Sequence, residues 1–294
     1  DLLELGVTEV VFIVGHLRDT MREWIEAEYP QIKGQFVVQE VQDGTAGAIA
    51  LAEPYVDEDV LIIFADAVLE VDYGLTKTLG KECAAVLWAK EVEDYQRFGV
   101  IVTNDDGTMK EIVEKPSEPI SKLANIGLYY IRDQELLFEG VRHTLAADPS
   151  PSGEYYLTDA FQYMVDKGAR LMTAPVEGWW DAGKPETLIE TNGHLLETGR
   201  GLIDVEASVE EAQIEEPVRI EAGAIVRGGK IGPNVTVEAG AIVEESEVRN
   251  SVVGADARLL RVRIHDSLVG DGATVSDFSG SLRVTDHSTL IGQR

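Results

Sequence analysis

Between Ile220 and Val275 apolar residues return every five or six positions: Ile220, Val226, Ile231, Val237, Val243, Val248, Val253, Leu259, Ile264, Val269 and Val275. Gly-Pro-Asn, Gly-Ala-Asp and Gly-Asp-Gly elements fall between them as turns. Such a period predicts a parallel β-helix of hexapeptide repeats over 218–294, in which short stacked strands share one core. Acyl transfer is possible on this architecture, yet no compelling site for it stands out, and His265 and His287 read as surface residues. Residues 201–217 read as an acidic connector.

Upstream, over 1–200, the rhythm is different. Apolar strands are expected at 10–14, 36–40 and 60–65, with helices near 18–28 and 45–53 between them. Strands bounded by helices indicate a mostly parallel, doubly wound sheet. Strands at 84–90, 98–102, 109–114 and 126–131 follow with shorter connections, as an antiparallel insertion, and helices near 133–147 and 156–167 complete the domain. In sheets of this kind ligands sit at the carboxyl ends of strands. The stretch from Asp1 to Gly6 reads as the end of an amphipathic helix running into Val10–Val14, so the chain reads as cut at its N-terminus.

With 25 Lys+Arg against 53 Asp+Glu the formal charge is −28. A field of that sign repels nucleic-acid backbones and anionic membranes, and an anionic substrate needs a local cationic or metal site. Cys83 is the single cysteine, so no internal disulfide forms. The longest apolar runs are strand-sized and no secretory leader is visible, which places the expectation in the cytoplasm.

Four stretches at predicted strand ends carry candidate chemistry. Phe98–Val102 and Glu111–Glu114, joined by a turn at Asn104 to Gly107, set Glu114 and Lys115 at the end of a hairpin, where Pro116 stops further pairing. A carboxylate beside an ammonium suits a ligand with hydroxyls and a phosphate; a solvated surface pair is the plain alternative. Gln39 closes a strand ahead of Gly44-Thr45-Ala46-Gly47-Ala48, whose small side chains let a flat base approach the backbone. An ordinary strand-to-helix turn with a Thr45 cap reads equally well there. Asp66 follows the apolar run Val60–Phe64, at the end of a buried parallel strand, as an Mg²⁺ ligand or an N-cap. Asp181, in Trp179-Trp180-Asp181-Ala182-Gly183, is a second metal ligand or a helix cap, with Pro185 opening the next helix.

Taken in order, Gln39 with Gly44-Thr45-Ala46, Asp66, Phe98-Gly99-Val100, Glu114-Lys115-Pro116, Asn125-Ile126-Gly127 and Trp180-Asp181-Ala182-Gly183 resemble the sugar-phosphate nucleotidyltransferases. The likeness is to glucose-1-phosphate thymidylyltransferases and uridylyltransferases carrying a C-terminal left-handed β-helix, and it covers essentially the whole chain. It implies an α/β fold, a Rossmann-like mixed sheet followed by a left-handed parallel β-helix. It also implies transfer of a nucleotidyl group from dTTP or UTP to a sugar 1-phosphate, glucose 1-phosphate foremost, with Mg²⁺ as cofactor and pyrophosphate released. By that resemblance Gln39, Gly44 and Thr45 bind the nucleotide, Gly99, Glu114 and Asn125 hold the sugar, and Lys115 holds its phosphate, while Asp66 and Asp181 bind the metal. Lys115, Asp66 and Asp181 are then the catalytic set, and a homo-oligomer is expected. The family's N-terminal Gly-rich loop and first strand have no counterpart in the sequence as it stands, which leaves open a non-catalytic nucleotide-sugar-binding or scaffold protein.

Overall fold

The structure is a computed structural model describing residues 2–292. The chain divides into two compact units, Asp1–Ala65 with Leu69–Trp179, and Asp66–Val68 with Trp180–Arg294.

The first unit opens with β1 (Glu9–Val14), α1 (Arg18–Glu28) and β2 (Lys33–Val38). β1 and β2 pair in parallel from Glu9↔Lys33 to Val14↔Val38. Lys33 Nζ lies 2.7 Å from Glu9 Oε1 at the first step of that register. Residues 2–6 form turns, with Gly6 N donating to Leu3 O and Val7 N to Leu2 O; of the expected helix end, Asp1 lies outside the described residues. After α2 (Thr45–Ala50) come β3 (Val60–Ile63), β4 (Ala67–Glu70), β5 (Cys83–Glu91), β6 (Gly99–Thr103), β7 (Met109–Glu114) and β8 (Leu123–Ile131). α3 (Gln134–Ala146), α4 (Leu157–Asp166) and β9 (Arg170–Pro175) follow, then β10 (Gly178–Asp181), which like β4 has residues assigned to each unit.

The principal sheet has the order β7-β6-β8-β5-β9, with β3 also on β8. β8 on β5 and β6, and β6 on β7, run antiparallel as the expected insertion, but β3, expected among the parallel strands, also pairs antiparallel with β8, and β5, expected in the insertion, is parallel to β9. The physical reason lies in β5, which is apolar on both faces. Ala85, Leu87 and Ala89 point to a core shared with α3 and α4, and Val86 and Trp88 point to a second one with Leu128 and Ala174. A strand buried on both sides reads as a continuous apolar run whichever way its neighbours point, so its sequence does not reveal their direction. Helix α3 is capped by Asp133, whose carboxylate accepts from Leu136 N at 3.1 Å. Its Leu137, Phe138 and Val141 pack with Leu157, Phe161 and Met164 of α4. Each of these side chains stabilises the fold by about 1.5–3 kcal/mol through burial. Gly140 permits the close approach, since a Cβ there would stand 2.8 Å from Ala160 O. The β6–β7 hairpin forms as expected, with Gly107 at φ 77° and its N–H donating to Asn104 O.

In the second unit α5 (Pro185–Leu195) has Pro185 in its first turn. Thr236 Oγ1 donates to Asn192 Oδ1 at 2.6 Å, and Arg283 meets Glu186 at 2.7 Å, so α5 is joined to the coils that follow it. Those coils form a parallel β-solenoid whose strands begin at Leu202. One face stacks Ser208, Ile225, Ile242, Arg258, Thr274 and Thr289 in register, giving coils of 17 residues that shorten to 16 and then 15. Val226, Val243, Leu259 and Val275 are buried along this face and Ile231, Val248 and Ile264 along another. This matches the five-or-six-residue period, and shows why it is not a strict hexad. Three columns of left-handed backbone make the corners: Glu211, Gly228, Glu245, Arg261 and Asp277; Asn234, Asn250 and Asp266; Gly223, Gly240, Asp256, Gly272 and His287. Glycine, asparagine and aspartate tolerate that conformation best.

Buried serines complete the corners. Ser251 Oγ donates to Arg249 O and accepts from Ser267 N, and Ser267 Oγ donates to His265 O and accepts from Leu282 N. His265 and His287 are exposed, as expected. Among the described residues, no helix is long and apolar enough to cross a membrane.

Candidate active site

The hairpin sets Gly99 opposite Glu114 in register, and the backbone N–H of Lys115 donates to Phe98 O. Asn125, on β8, has its Oδ1 accepting from Gly127 N, where the backbone turns left-handed at φ 79°. A Cβ on Gly99 would lie 2.8 Å from Glu114 Oε2 and 3.6 Å from Asn125 Nδ2. Gly99, Glu114 and Asn125 therefore meet at one tightly packed point, where a carboxylate acceptor and an amide donor stand within 3.6 Å of the place a Gly99 side chain would take. Burial pushes the Glu114 carboxyl above the usual carboxylate range, against the Thr158 hydroxyl and Lys115, which hold it down.

Lys115 has a left-handed backbone, φ 45°, which is costly for a residue with a Cβ. Its ammonium lies 3.9 Å from Glu154 Oε2 and 4.9 Å from the centroid of the Tyr156 ring. The side chain is 48% exposed, so a phosphate could reach it.

The Gln39 loop is tied to the same neighbourhood. Gln39 Nε2 donates to Asp43 Oδ1 at 3.0 Å and Gly44 O at 3.1 Å, which leaves the amide oxygen to accept from a ligand. Gly44, at φ 108°, closes against Tyr155, whose carbonyl oxygen a Cβ would meet at 2.4 Å; the small residues here serve packing as well as access. Thr45 is no helix cap: its hydroxyl accepts from Leu157 N at 2.9 Å, across to the start of α4.

Asp66 and Asp181 belong to the second unit. Asp66 sits in an exposed turn between β3 and β4, and β3 is antiparallel to β8, so the premise of a buried parallel strand end is corrected. Ala65 and Asp66 form the turn that leads directly from β3 into β4. Ala182 N donates to Asp66 O at 2.8 Å, and Gly183 N donates to Asp181 Oδ1, also at 2.8 Å. A Cβ on Gly183 would stand 3.1 Å from Asp181 Oδ1 and 3.3 Å from Asp66 Oδ2. Two carboxylates thus stand close about Gly183, where a side chain would be a tight fit. A pair of hard oxygen donors fits a divalent cation that takes its remaining ligands from water or phosphate. Among the described residues no group of three or more His, Cys, Asp or Glu gathers as a complete metal site. Trp180 stacks on His194 with ring centroids 3.4 Å apart, and Trp179 meets Phe98 edge-on at 5.3 Å.

Sequence reasoning missed Glu154, Tyr156 and Thr158, which surround Glu114 and Lys115. They fall where a helix was expected to begin, and no spacing in the sequence points from them to the hairpin.

A profile of the family described as nucleotidyl transferase matches residues 1–198. The low-salt glycan biosynthesis nucleotidyltransferase Agl11 of Haloferax volcanii is 32% identical over 301 aligned positions, covering 94% of this chain and 83% of that protein. A glucose-1-phosphate thymidylyltransferase of Streptomyces antibioticus is 29% identical, over 92% of this chain and 81% of its own length. In fold, the chain is similar to a crystal structure of UDP-glucose pyrophosphorylase complexed with UDP-glucose, with a TM-score of 0.57, 22% identity, and coverage of 67% of this chain and 83% of that one. The motifs in order, the mixed sheet that carries them and these matches have one conclusion: the chain belongs to the nucleotidyl transferase family, among its sugar-phosphate members.

Proposed function

We propose that this protein joins a sugar 1-phosphate, glucose 1-phosphate foremost, to dTTP or UTP, forming a nucleotide sugar and pyrophosphate. The observation that carries the reading is the meeting of Gly99, Glu114 and Asn125 at one end of the sheet, with the half-exposed Lys115 next along the chain from Glu114. A hexose presents hydroxyls that both donate and accept, and the Glu114 carboxylate and the Asn125 amide answer both. A side chain at Gly99 would crowd the Glu114 carboxylate and the Thr158 methyl.

In this reading the Lys115 ammonium leaves Glu154 for the sugar phosphate and holds it by charge. Gln39 offers its amide oxygen to the imide N–H that thymine and uracil share, so both bases suit it. A phosphate oxygen of the sugar 1-phosphate attacks the α-phosphorus of the triphosphate, the bond from that phosphorus to the bridging oxygen of the β-phosphate breaks, and pyrophosphate leaves with its electron pair. Such a transfer needs in-line positioning and charge neutralisation more than a strong base. Asp66 and Asp181 would hold Mg²⁺, which when bound supplies that neutralisation.

Pyrophosphate release, measured with Mg²⁺, glucose 1-phosphate and either dTTP or UTP, tests the reading. Release is the expected result; its absence with every pairing of a sugar 1-phosphate and a pyrimidine triphosphate overturns it.

A further inference from the structure

One short segment, Glu154-Tyr155-Tyr156-Leu157-Thr158, reaches both halves of the proposed substrate site within the first unit. The side chains of its even-numbered residues go to the hairpin. Glu154 and Tyr156 contact the Lys115 ammonium, and Thr158 Oγ1 donates to Glu114 Oε2 at 3.1 Å. The backbone of its odd-numbered residues goes to the Gln39 loop: Tyr155 N donates to Asp43 O, Tyr155 O accepts from Ala46 N, and Leu157 N donates to Thr45 Oγ1.

Thr158 is the best-placed member. It is 3% exposed, its methyl would lie 2.7 Å from a Cβ on Gly99, and its hydroxyl is the hydrogen-bond donor given to the Glu114 carboxylate. A buried hydroxyl with one carboxylate partner fixes that carboxylate's orientation, because breaking the bond leaves two desolvated polar groups. We propose that Thr158 is a positioning residue that aims the Glu114 carboxylate at the sugar, within a segment that links the sugar-phosphate pair to the base-reading loop. This rests on the nucleotidyl-transfer reading.

The charged groups that bear on Glu114 are Lys115 from the hairpin, Asp159 from α4 and Glu154 from the segment itself. Burial favours the neutral acid, the Thr158 hydrogen bond and then Lys115 favour the carboxylate, and Asp159 and Glu154 oppose it. Removing the hydroxyl therefore moves Glu114 further toward the neutral acid.

The test compares wild type, T158V and T158S. T158V is expected to raise KM for the sugar 1-phosphate about tenfold, the worth of a hydrogen bond to a charged group, with KM for the triphosphate little changed. The acid limb of kcat/KM for the sugar moves to higher pH in T158V, and T158S restores both. Titration of the ¹³C-labelled glutamate carboxyl carbons, with Glu114 assigned by the signal lost in E114Q, reads the same effect without turnover: the midpoint rises in T158V. A wild-type Glu114 titration and a wild-type sugar KM in T158V overturn the assignment, as does a T158S that behaves like T158V. If wild type itself releases no pyrophosphate, the reaction reading falls, and the carboxyl titration still decides whether Thr158 holds Glu114.

Discussion

Glu114 stands under two opposed demands. The proposed acceptance from sugar hydroxyls is best served by the ionised form, while burial at the end of the hairpin favours the neutral one. A carboxyl whose value is raised on folding lends stability below its ordinary range of about 4.5 and loses it as pH rises through the folded value. At neutral pH the ionised group is therefore a net cost to the fold. Glu114→Gln is expected to raise Tm at pH 7 with no gain well below the ordinary carboxylate range, and to raise KM for the sugar phosphate at least tenfold, the worth of a charged hydrogen bond. Thermal melts across pH beside substrate kinetics check both halves, and a Tm unchanged at every pH would remove the argument. For Asp181 the expectation concerns metal. Asp181→Asn keeps the Gly183 hydrogen bond through its amide oxygen but loses the charge, so the Mg²⁺ concentration for half-maximal rate should rise about tenfold or more. An unaltered titration would return Asp181 to the role of a local turn-former.

At the level of elements, the serine ladder is the device that lets the solenoid turn corners without losing backbone hydrogen bonds. Ser251 is fully buried and serves Arg249 O and Ser267 N at once. Ser251→Ala strands both groups and should cost about 1–3 kcal/mol, seen as a lowered Tm of the intact protein. The solenoid as a class was legible in the sequence because its inward positions recur at a fixed interval, from Ile220 to Val275. Its corner columns were less so, since Glu245 and Arg261 are not residues that announce a left-handed backbone. In the first unit the hairpin at Asn104 to Gly107 was readable from its turn chemistry, and the structure brings Gly99, Glu114 and Asn125 together at its end. The antiparallel insertion was readable from its short connections, whereas the antiparallel pairing of β3 with β8 and the parallel pairing of β5 with β9 were not, because a strand buried on both faces carries no mark of its partners' polarity. Nor was the Glu154–Thr158 segment, whose contacts join residues more than 35 positions apart and depend wholly on how α4 packs on the sheet.

For the whole molecule, a charge of −28 is a fact about solution behaviour as well as substrate access. Self-repulsion among the carboxylates opposes compaction, and salt screens it. Raising NaCl from about 0.05 M to about 0.5 M, across which the Debye length falls from roughly 14 Å to roughly 4 Å, is expected to raise Tm by several degrees; a flat or falling Tm would show that ion pairs such as Arg261 with Asp277 outweigh the repulsion. The shortening of the coils from 17 residues to 15 has a consequence of another kind. A stack of identical rungs could slide by one rung and still pair, as a zip fastened one tooth out. At the two places where the length changes, from 17 to 16 and from 16 to 15, a slipped alignment leaves a residue over at one corner, so these steps mark the register of the stack.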